Sequence, residues 1–340
     1  MLHCQHHEYG VTTMIIDMEH HLATLDRLEK GESESGKVCE RYWDTDGKMK
    51  IKSFEEAARA ESHLEFMDAA GIDIALLTTN PITTLEQCRR WNDFCAGLVK
   101  DYPDRLAGFA TIPPLGGKPA FDELERAVKG LGLKGVHIWT WNDGQALDSR
   151  EMWPFYEKAS EMGIPVDVHV TLEPSGLDSL HASYALYYVM ARELDMCSAT
   201  LKVCLGGVLE DFPDLVMIMN HFGGGVSSVL ERLDAYMSYV GPGCPSLYRG
   251  EPLISRPWRE YFDKLYFNMA GREIGMAAVK SALTNISPQK LMFGTDWPFN
   301  YDRNPAGAAR YMEEIRKLDL PDEDIDDMLG GNAARLLGIR

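Results

Sequence analysis

No two of the seven cysteines (4, 39, 88, 95, 197, 204 and 244) stand in a C-x-x-C pair, which argues against zinc ribbons and dithiol redox chemistry. An odd number of scattered thiols fits a reduced compartment, so a cytoplasmic protein is expected. Positive charge is scarce: 34 Lys and Arg face 52 Asp and Glu, a formal net charge of −18. Counterion release on nucleic acid needs clustered cations, so no nucleic-acid partner is expected. No apolar run reaches the ~20 residues of a membrane span, so no membrane partner is expected either. The opening "MLHCQHHEYGVTT" lacks the charged and apolar regions of a signal peptide. It carries His3, Cys4, His6 and His7, but residues 1–13 read as a flexible tail. Nucleotide signatures are missing too: no glycine-rich turn follows the first strand, and Gly223 to Gly225 has no P-loop lysine.

What is present is a hydrophobic fraction of 45%, ordinary for a core of good size. Short apolar runs alternate with helical patterns. The candidate strands are 14–20, 72–78, 106–112, 134–140, 165–171, 215–221, 264–269 and 290–296. Several are nearly continuous in Val, Ile, Leu and Met, as strands covered on both faces should be. This alternation predicts an α/β fold, a single (β/α)8 TIM barrel forming one domain over residues 1–340. "SFEEAARAESHLEFMDAAG" predicts a helix opened by a Ser53/Glu56 capping box and stopped at Gly71. "SREMWPFYEKASEMG" predicts another, from Ser149 to Gly163. Residues 36–52 read as a hairpin turning at Asp46-Gly47, a small insertion after strand 1.

The chemistry sits at the strand ends. "MIIDMEHHL" closes strand 1 with Glu19 and His21, two apart and so on one face. Strand 5 ends at His169 in "VDVHV", strand 6 at His221 in "MIMNHFGGG" and strand 8 at Asp296 in "LMFGTDWPF". In a barrel these carboxyl ends meet on one rim. Two carboxylates with two or three imidazoles suit a borderline divalent cation such as zinc or manganese. Any one of these residues alone would read as packing or a turn; it is their joint position that points to a site.

Together, "IIDMEHH", "GVHI", "VDVHV", "LEDFPDLVMIMNHFGGG", "LMFGTDWPF" and "MLGGNAARLLGI" make the chain resemble the amidohydrolase superfamily. The likeness is to its aminocarboxymuconate-semialdehyde decarboxylase and γ-resorcylate decarboxylase branch. The usual first motif, D-x-H-x-H, here reads Asp17-Met18-Glu19-His20-His21, with Glu19 at the first histidine's place. An E-x-H form resembles the aromatic decarboxylases more than their hydrolytic relatives. The resemblance implies that Glu19, His21, His169 and Asp296 bind one divalent ion per chain, zinc or manganese. A glutamate ligand shifts the preference toward manganese or magnesium. It also implies that His221 is a catalytic residue outside the resting metal shell, while His20 points to the other face.

The activity implied is non-oxidative, metal-dependent decarboxylation of a hydroxylated aromatic or related unsaturated carboxylic acid, with no organic cofactor. Asp296 is the expected proton donor to carbon, and His221 the group that bonds the substrate oxygen or relays the proton. Trp139, Trp141 and Phe299 are candidate pocket walls. Arg232, eleven residues after His221, resembles a family arginine that can reach a neighbouring subunit's site, which implies a homodimer or higher homo-oligomer. Arg41 is a weaker candidate for the same anion. The alternative is a metal-dependent hydrolase of a lactone or cyclic amide. Against it stand Glu19 and the lack of a plausible carboxylated lysine on strand 4, where His137 or Ile138 occupies that region.

Overall fold

Each apolar run becomes a short parallel strand. In the computed structural model these are β1 (Ile16–His21), β2 (Ile74–Thr78), β3 (Leu106–Gly108, resuming at Ala110–Thr111) and β4 (Val136–Trp139). Then come β5 (Val166–His169), β6 (Met217–Met219), β7 (Tyr266–Asn268) and β8 (Leu291–Met292). The structure describes residues 14–23, 28, 38–43, 45, 49–172, 174, 176–180, 186–238, 253–270, 275–301 and 304–340. The expected tail 1–13 and the expected turn at Asp46-Gly47 lie outside the described residues.

Pairing follows chain order. A sheet β1-β2-β3 and a sheet β3-β4-β5-β6-β7-β8 share β3, and all their ladders are parallel. Beyond β8 the chain meets β1: Met18 N donates to Phe293 O at 2.9 Å, Asp296 N to Glu19 O at 2.9 Å and His21 N to Trp297 O at 2.7 Å. The strands β1, β2, β4 and β5 are buried along their whole length, which explains their unbroken apolar sequence. One face packs Ile16, Met18, Leu76, Phe109, Ile218 and Met292 into an inner cluster, which Leu337 of the final helix joins. The other face packs against the helices in a larger cluster.

Strand β1 breaks the regular pleat. Asp17 pairs with Ala75 and His20 with Leu77, so three steps on β1 match two on β2. That extra residue is a bulge, which re-aims the strand. Met18 can pack in the inner cluster while Glu19, the next residue, turns to the strand-end site. His20 faces away, as expected: its Nδ1 lies 2.9 Å from Asp17 Oδ2 and its ring stacks on Trp297 at 4.7 Å.

Two helix starts differ from expectation. The Ser53/Glu56 capping box does not form: Ser53 ends a strand, a 3-10 turn spans Glu55–Ala58, and the α-helix runs Ala60–Ala70. The chain spends Ser53 in a strand, Met49–Ser53, antiparallel to Cys39–Trp43. Ser149 opens a 3-10 turn, Arg150–Met152, before the α-helix Trp153–Met162. Both helices stop as expected, at Gly71 (φ 80°) and Gly163 (φ 63°), in the left-handed conformation that glycine adopts freely. Among the described residues no helix is long and apolar enough to cross a membrane.

Candidate metal centre

Four strand ends deliver one cluster. Glu19, His169, His221 and Asp296 are all buried, and each offers a nitrogen or oxygen within 4.8 Å of the others. His21 completes it, with Nε2 3.1 Å from Asp296 Oδ1 and 3.5 Å from Glu19 Oε1. All five residues singled out at the strand ends therefore meet.

Glu19 is oriented by β7. Asn268 Nδ2 donates to Glu19 Oε2 at 2.7 Å, leaving Oε1 to face His169 Nε2 at 3.0 Å and His221 Nε2 at 3.2 Å. His169 Nδ1 lies 2.8 Å from the carbonyl of Val170, which can only accept, so Nδ1 carries the proton. In the neutral ring Nε2 then keeps a lone pair aimed at the cluster. The Nε2 atoms of His21 and His169 are buried and lack a well-directed hydrogen bond, although carboxylate oxygens stand nearby. Buried polar atoms are rarely left this way without reason. Two orphaned imidazole nitrogens beside two carboxylates are the donor set a divalent cation takes, so the residues present fit such an ion.

Electrostatics divide the imidazoles. Burial pushes His169 down to about 3, with Glu19 opposing only in part, so it stays neutral as a ligand must. Burial also works against charge on His21, but the Asp296 and Glu19 carboxylates override it and hold its pKa at about 9, so an ion binding at its Nε2 would displace a proton. For His221 burial is again outweighed, by Glu193 and then Glu19, and the pKa lies well above 6.5. Glu19 resists the pull of burial because His221 and His169 favour its charged form, and its pKa falls well below 4.5.

His221 is held by unusual backbone. Residues His221 to Gly225 all have positive φ, from 54° to 68°, a left-handed turn wound between β6 and the next helix. Such winding costs about 1–2 kcal/mol per residue with a side chain, which is why three of the five are glycine. Gly224 serves a second purpose. A Cβ there would collide with the carbonyl oxygen of Glu193 on the Arg192–Leu205 helix. That close approach brings Glu193 Oε1 to 2.9 Å from His221 Nδ1. Asn268 Oδ1 accepts the His221 backbone N–H at 3.0 Å, tying the turn to β7.

A cavity of about 820 Å³ opens over the cluster, bordered by His169, His221 and Asp296 with Arg41, Arg192 and Phe299. Phe299 is where a wall was expected, its ring 4.9 Å from that of His21. Arg41 donates to the Phe299 carbonyl at 2.7 Å. Trp139 and Trp141 are not part of the lining. Trp139 is buried edge-on to His169 at 5.6 Å, and Trp141 donates from Nε1 to Asp195 at 2.8 Å. Arg232 is exposed on its own chain, its guanidinium 5.1 Å above the Tyr236 ring. Sequence reading missed Glu193, Asn268 and Arg192. A polar residue ending an apolar strand could have flagged Asn268; the other two sit in an unremarkable helical pattern.

A family model for amidohydrolases matches residues 16–339. The 2-amino-3-carboxymuconate-6-semialdehyde decarboxylase of Dictyostelium discoideum is 24% identical over 310 residues, 88% of this chain and 82% of that protein. The γ-resorcylate decarboxylase of Polaromonas sp. strain JS666 is 25% identical over 340 residues, 94% of this chain and 97% of its own. A 2-keto-4-carboxy-3-hexenedioate hydratase of Sphingobium sp. strain SYK-6 is 32% identical over 260 residues, 72% of this chain and 69% of that one. In structure, the Polaromonas dihydroxybenzoic acid decarboxylase with bound manganese and 2-nitroresorcinol superposes with a TM-score of 0.79 at 23% identity. It covers 96% of this chain and 98% of that one, which shows a shared fold. With a match that runs from the first residue of β1 almost to the last of the chain, this protein belongs to the amidohydrolase family.

Proposed function

We propose that this chain is a divalent-metal-dependent, non-oxidative decarboxylase of a hydroxylated aromatic or related unsaturated carboxylic acid. The observation that carries the reading is Glu19: a buried carboxylate at the head of the cluster, where its oxygen faces three imidazoles. The decarboxylases among the relatives, and the manganese bound in the Polaromonas structure, support it. Glu19, His21, His169 and Asp296 would hold one divalent ion per chain, manganese or zinc. Such an ion supplies charge neutralisation and orientation for a substrate carboxylate and its neighbouring oxygen.

The chain's own groups do the rest. Asp296, in the cavity lining, takes up a proton from solvent and donates it to the ring carbon that bears the carboxylate. The carbon becomes tetrahedral, the bond to the carboxylate breaks, carbon dioxide leaves, and the electron pair restores the aromatic ring. His221, held charged by Glu193 and Glu19, donates a hydrogen bond to a substrate oxygen. Phe299 packs along the ring and keeps water from it.

The contacts of Met18 and Asp296 with the far strand support closure of the eight strands into a single-domain (β/α)8 barrel, with residues 36–52 a small insertion after β1. The exposure of Arg232 is consistent with a role across a homodimer interface, and the free Cys88, Cys95, Cys197 and Cys204 with a cytoplasmic setting.

A second reading, a hydratase of an unsaturated keto acid, is favoured by the 32% identity to the Sphingobium enzyme. A hydrolase has less support: none of the three relatives above is one, and β4 offers His137, bonded to Asp167 at 2.6 Å, where a lysine would be needed. Carbon dioxide release from dihydroxybenzoates by manganese-loaded protein tests the main reading. No release from any hydroxybenzoate, with water added across an unsaturated keto acid, would replace it by the second.

A further inference from the structure

Arg192 lies where a π-helical turn, Tyr187–Ala191, runs on without a break into the Arg192–Leu205 α-helix, and it borders the cavity, yet its Nε is buried without a partner. Among the described residues its guanidinium makes no ion pair and no hydrogen bond. Several arginines of the chain are paired with carboxylates. Arg126 pairs with Glu123 and Asp93, Arg259 with Asp234, and Arg335 with Asp327. In a chain of net charge −18, carboxylates are plentiful, so a guanidinium kept from all of them invites explanation. Leaving a buried donor of a charged group unsatisfied is costly, and although Glu193 borders the same cavity its carboxylate is turned to His221.

Position narrows the role. Glu193, the next residue, meets His221 Nδ1 while Glu19 meets Nε2, so the imidazole stands between this helix and the ligand cluster. This turn of the helix therefore approaches the cavity from the side of His221 away from Glu19. A guanidinium arriving from there meets a part of the substrate other than the carboxylate at the ion. Its planar fork matches a carboxylate in a way an ammonium does not.

We infer that Arg192 binds a second carboxylate of the substrate and so selects dicarboxylic over monocarboxylic acids. This rests on reading the site as one that holds a carboxylic acid. The test is binding, so that it does not depend on turnover. Manganese-loaded protein is titrated calorimetrically with benzoate, isophthalate and terephthalate, none of which carries the hydroxyl the reaction uses. The better dicarboxylate should bind at least roughly tenfold more tightly than benzoate, as a charged hydrogen-bonded pair implies. Arg192→Gln should erase that ratio with benzoate affinity and bound manganese unchanged. Arg192→Lys, which keeps the charge, should retain part of it. Equal binding of all three acids by the wild type overturns the inference, as does a ratio that survives in Arg192→Gln. Loss of the ratio in Arg192→Lys together with lost manganese would also count against it, because the residue would then be structural. Failure of the decarboxylase reading is seen separately, as absent carbon dioxide from hydroxylated acids while the binding ratio persists.

Discussion

Glu193 Oε1 lies 2.9 Å from His221 Nδ1 across 28 residues of sequence, with the turn of glycines closing the distance. The carboxylate raises the pKa of the imidazole against the opposing effect of burial. The charged form is thus present in full below 6.5 and is lost only as pH rises through the elevated value. Glu193→Gln removes the largest influence favouring charge. Its activity should fall by about 10–100-fold, and the alkaline limb of the rate profile should move to lower pH. A variant with an unshifted limb would show that Glu193 does not govern His221.

Metal content follows from the orphaned Nε2 atoms of His21 and His169. Purified protein should carry close to one divalent ion per chain by elemental analysis. Added manganese should raise the melting temperature of stripped protein, by linkage worth about 2.7 kcal/mol at ~100 times its dissociation constant. His169→Ala should abolish that rise. A fully active, metal-free preparation would remove the metal from the account altogether.

Gly224 and Gly225 offer a paired test of the turn. Both have positive φ, 67° and 68°, but only Gly224 faces a neighbour, the Glu193 carbonyl. Gly225→Ala should cost about 1–2 kcal/mol in urea unfolding, the strain of left-handed backbone alone. Gly224→Ala adds a collision with helix backbone, for about 2–5 kcal/mol in total, and should lose activity as Glu193 is pushed away. Equal costs would mean that the helix does not press on the turn.

Four of the thiols, Cys88, Cys95, Cys197 and Cys204, should be inert. Burial, aided by Glu123, pushes Cys88 up to about 12, and burial, aided by Glu193, pushes Cys197 to about 11. Burial raises Cys95 and Cys204 as well. At pH 8 such thiols are ionised to roughly one part in a thousand or less, so iodoacetamide should leave all four unmodified in native protein. Rapid labelling at any of them, read by mass spectrometry before unfolding, would contradict their raised pKa values.

Arg232 can be tested by subunit exchange. If it serves a partner's site, Arg232→Ala and Asp296→Asn should each be impaired alone and recover part of the activity when mixed. A mixed dimer holds one site with an intact Asp296 and an Arg232 from the other chain. No recovery after proven exchange would confine Arg232 to its own subunit.

The strand ends were legible in the sequence because buried parallel strands leave long apolar runs, and a His, Glu or Asp closing such a run stands out. His169 and Asp296 were visible for that reason. The bulge that lets Met18 and Glu19 serve two layers was not, since pairing register is set by β2 and leaves no mark on β1 itself. Ser53 shows the opposite failure: a good local capping signal lost to a strand pairing with Cys39. Trp141 read as a wall by its spacing from Trp139, but Asp195, on a distant helix, takes its indole N–H. Glu193 and Arg192 were out of reach because their meaning depends on which helix leans on the glycine turn.

Five consecutive residues, His221 to Gly225, share one handedness. None can revert alone, because a single right-handed residue would send the chain after it in a different direction and break the hold of Asn268 on one side and Glu193 on the other. The turn therefore holds its shape as one unit, tied at two points. The Cα of His221 is thereby placed by its backbone, and the freedom left to the residue is rotation of its own side chain.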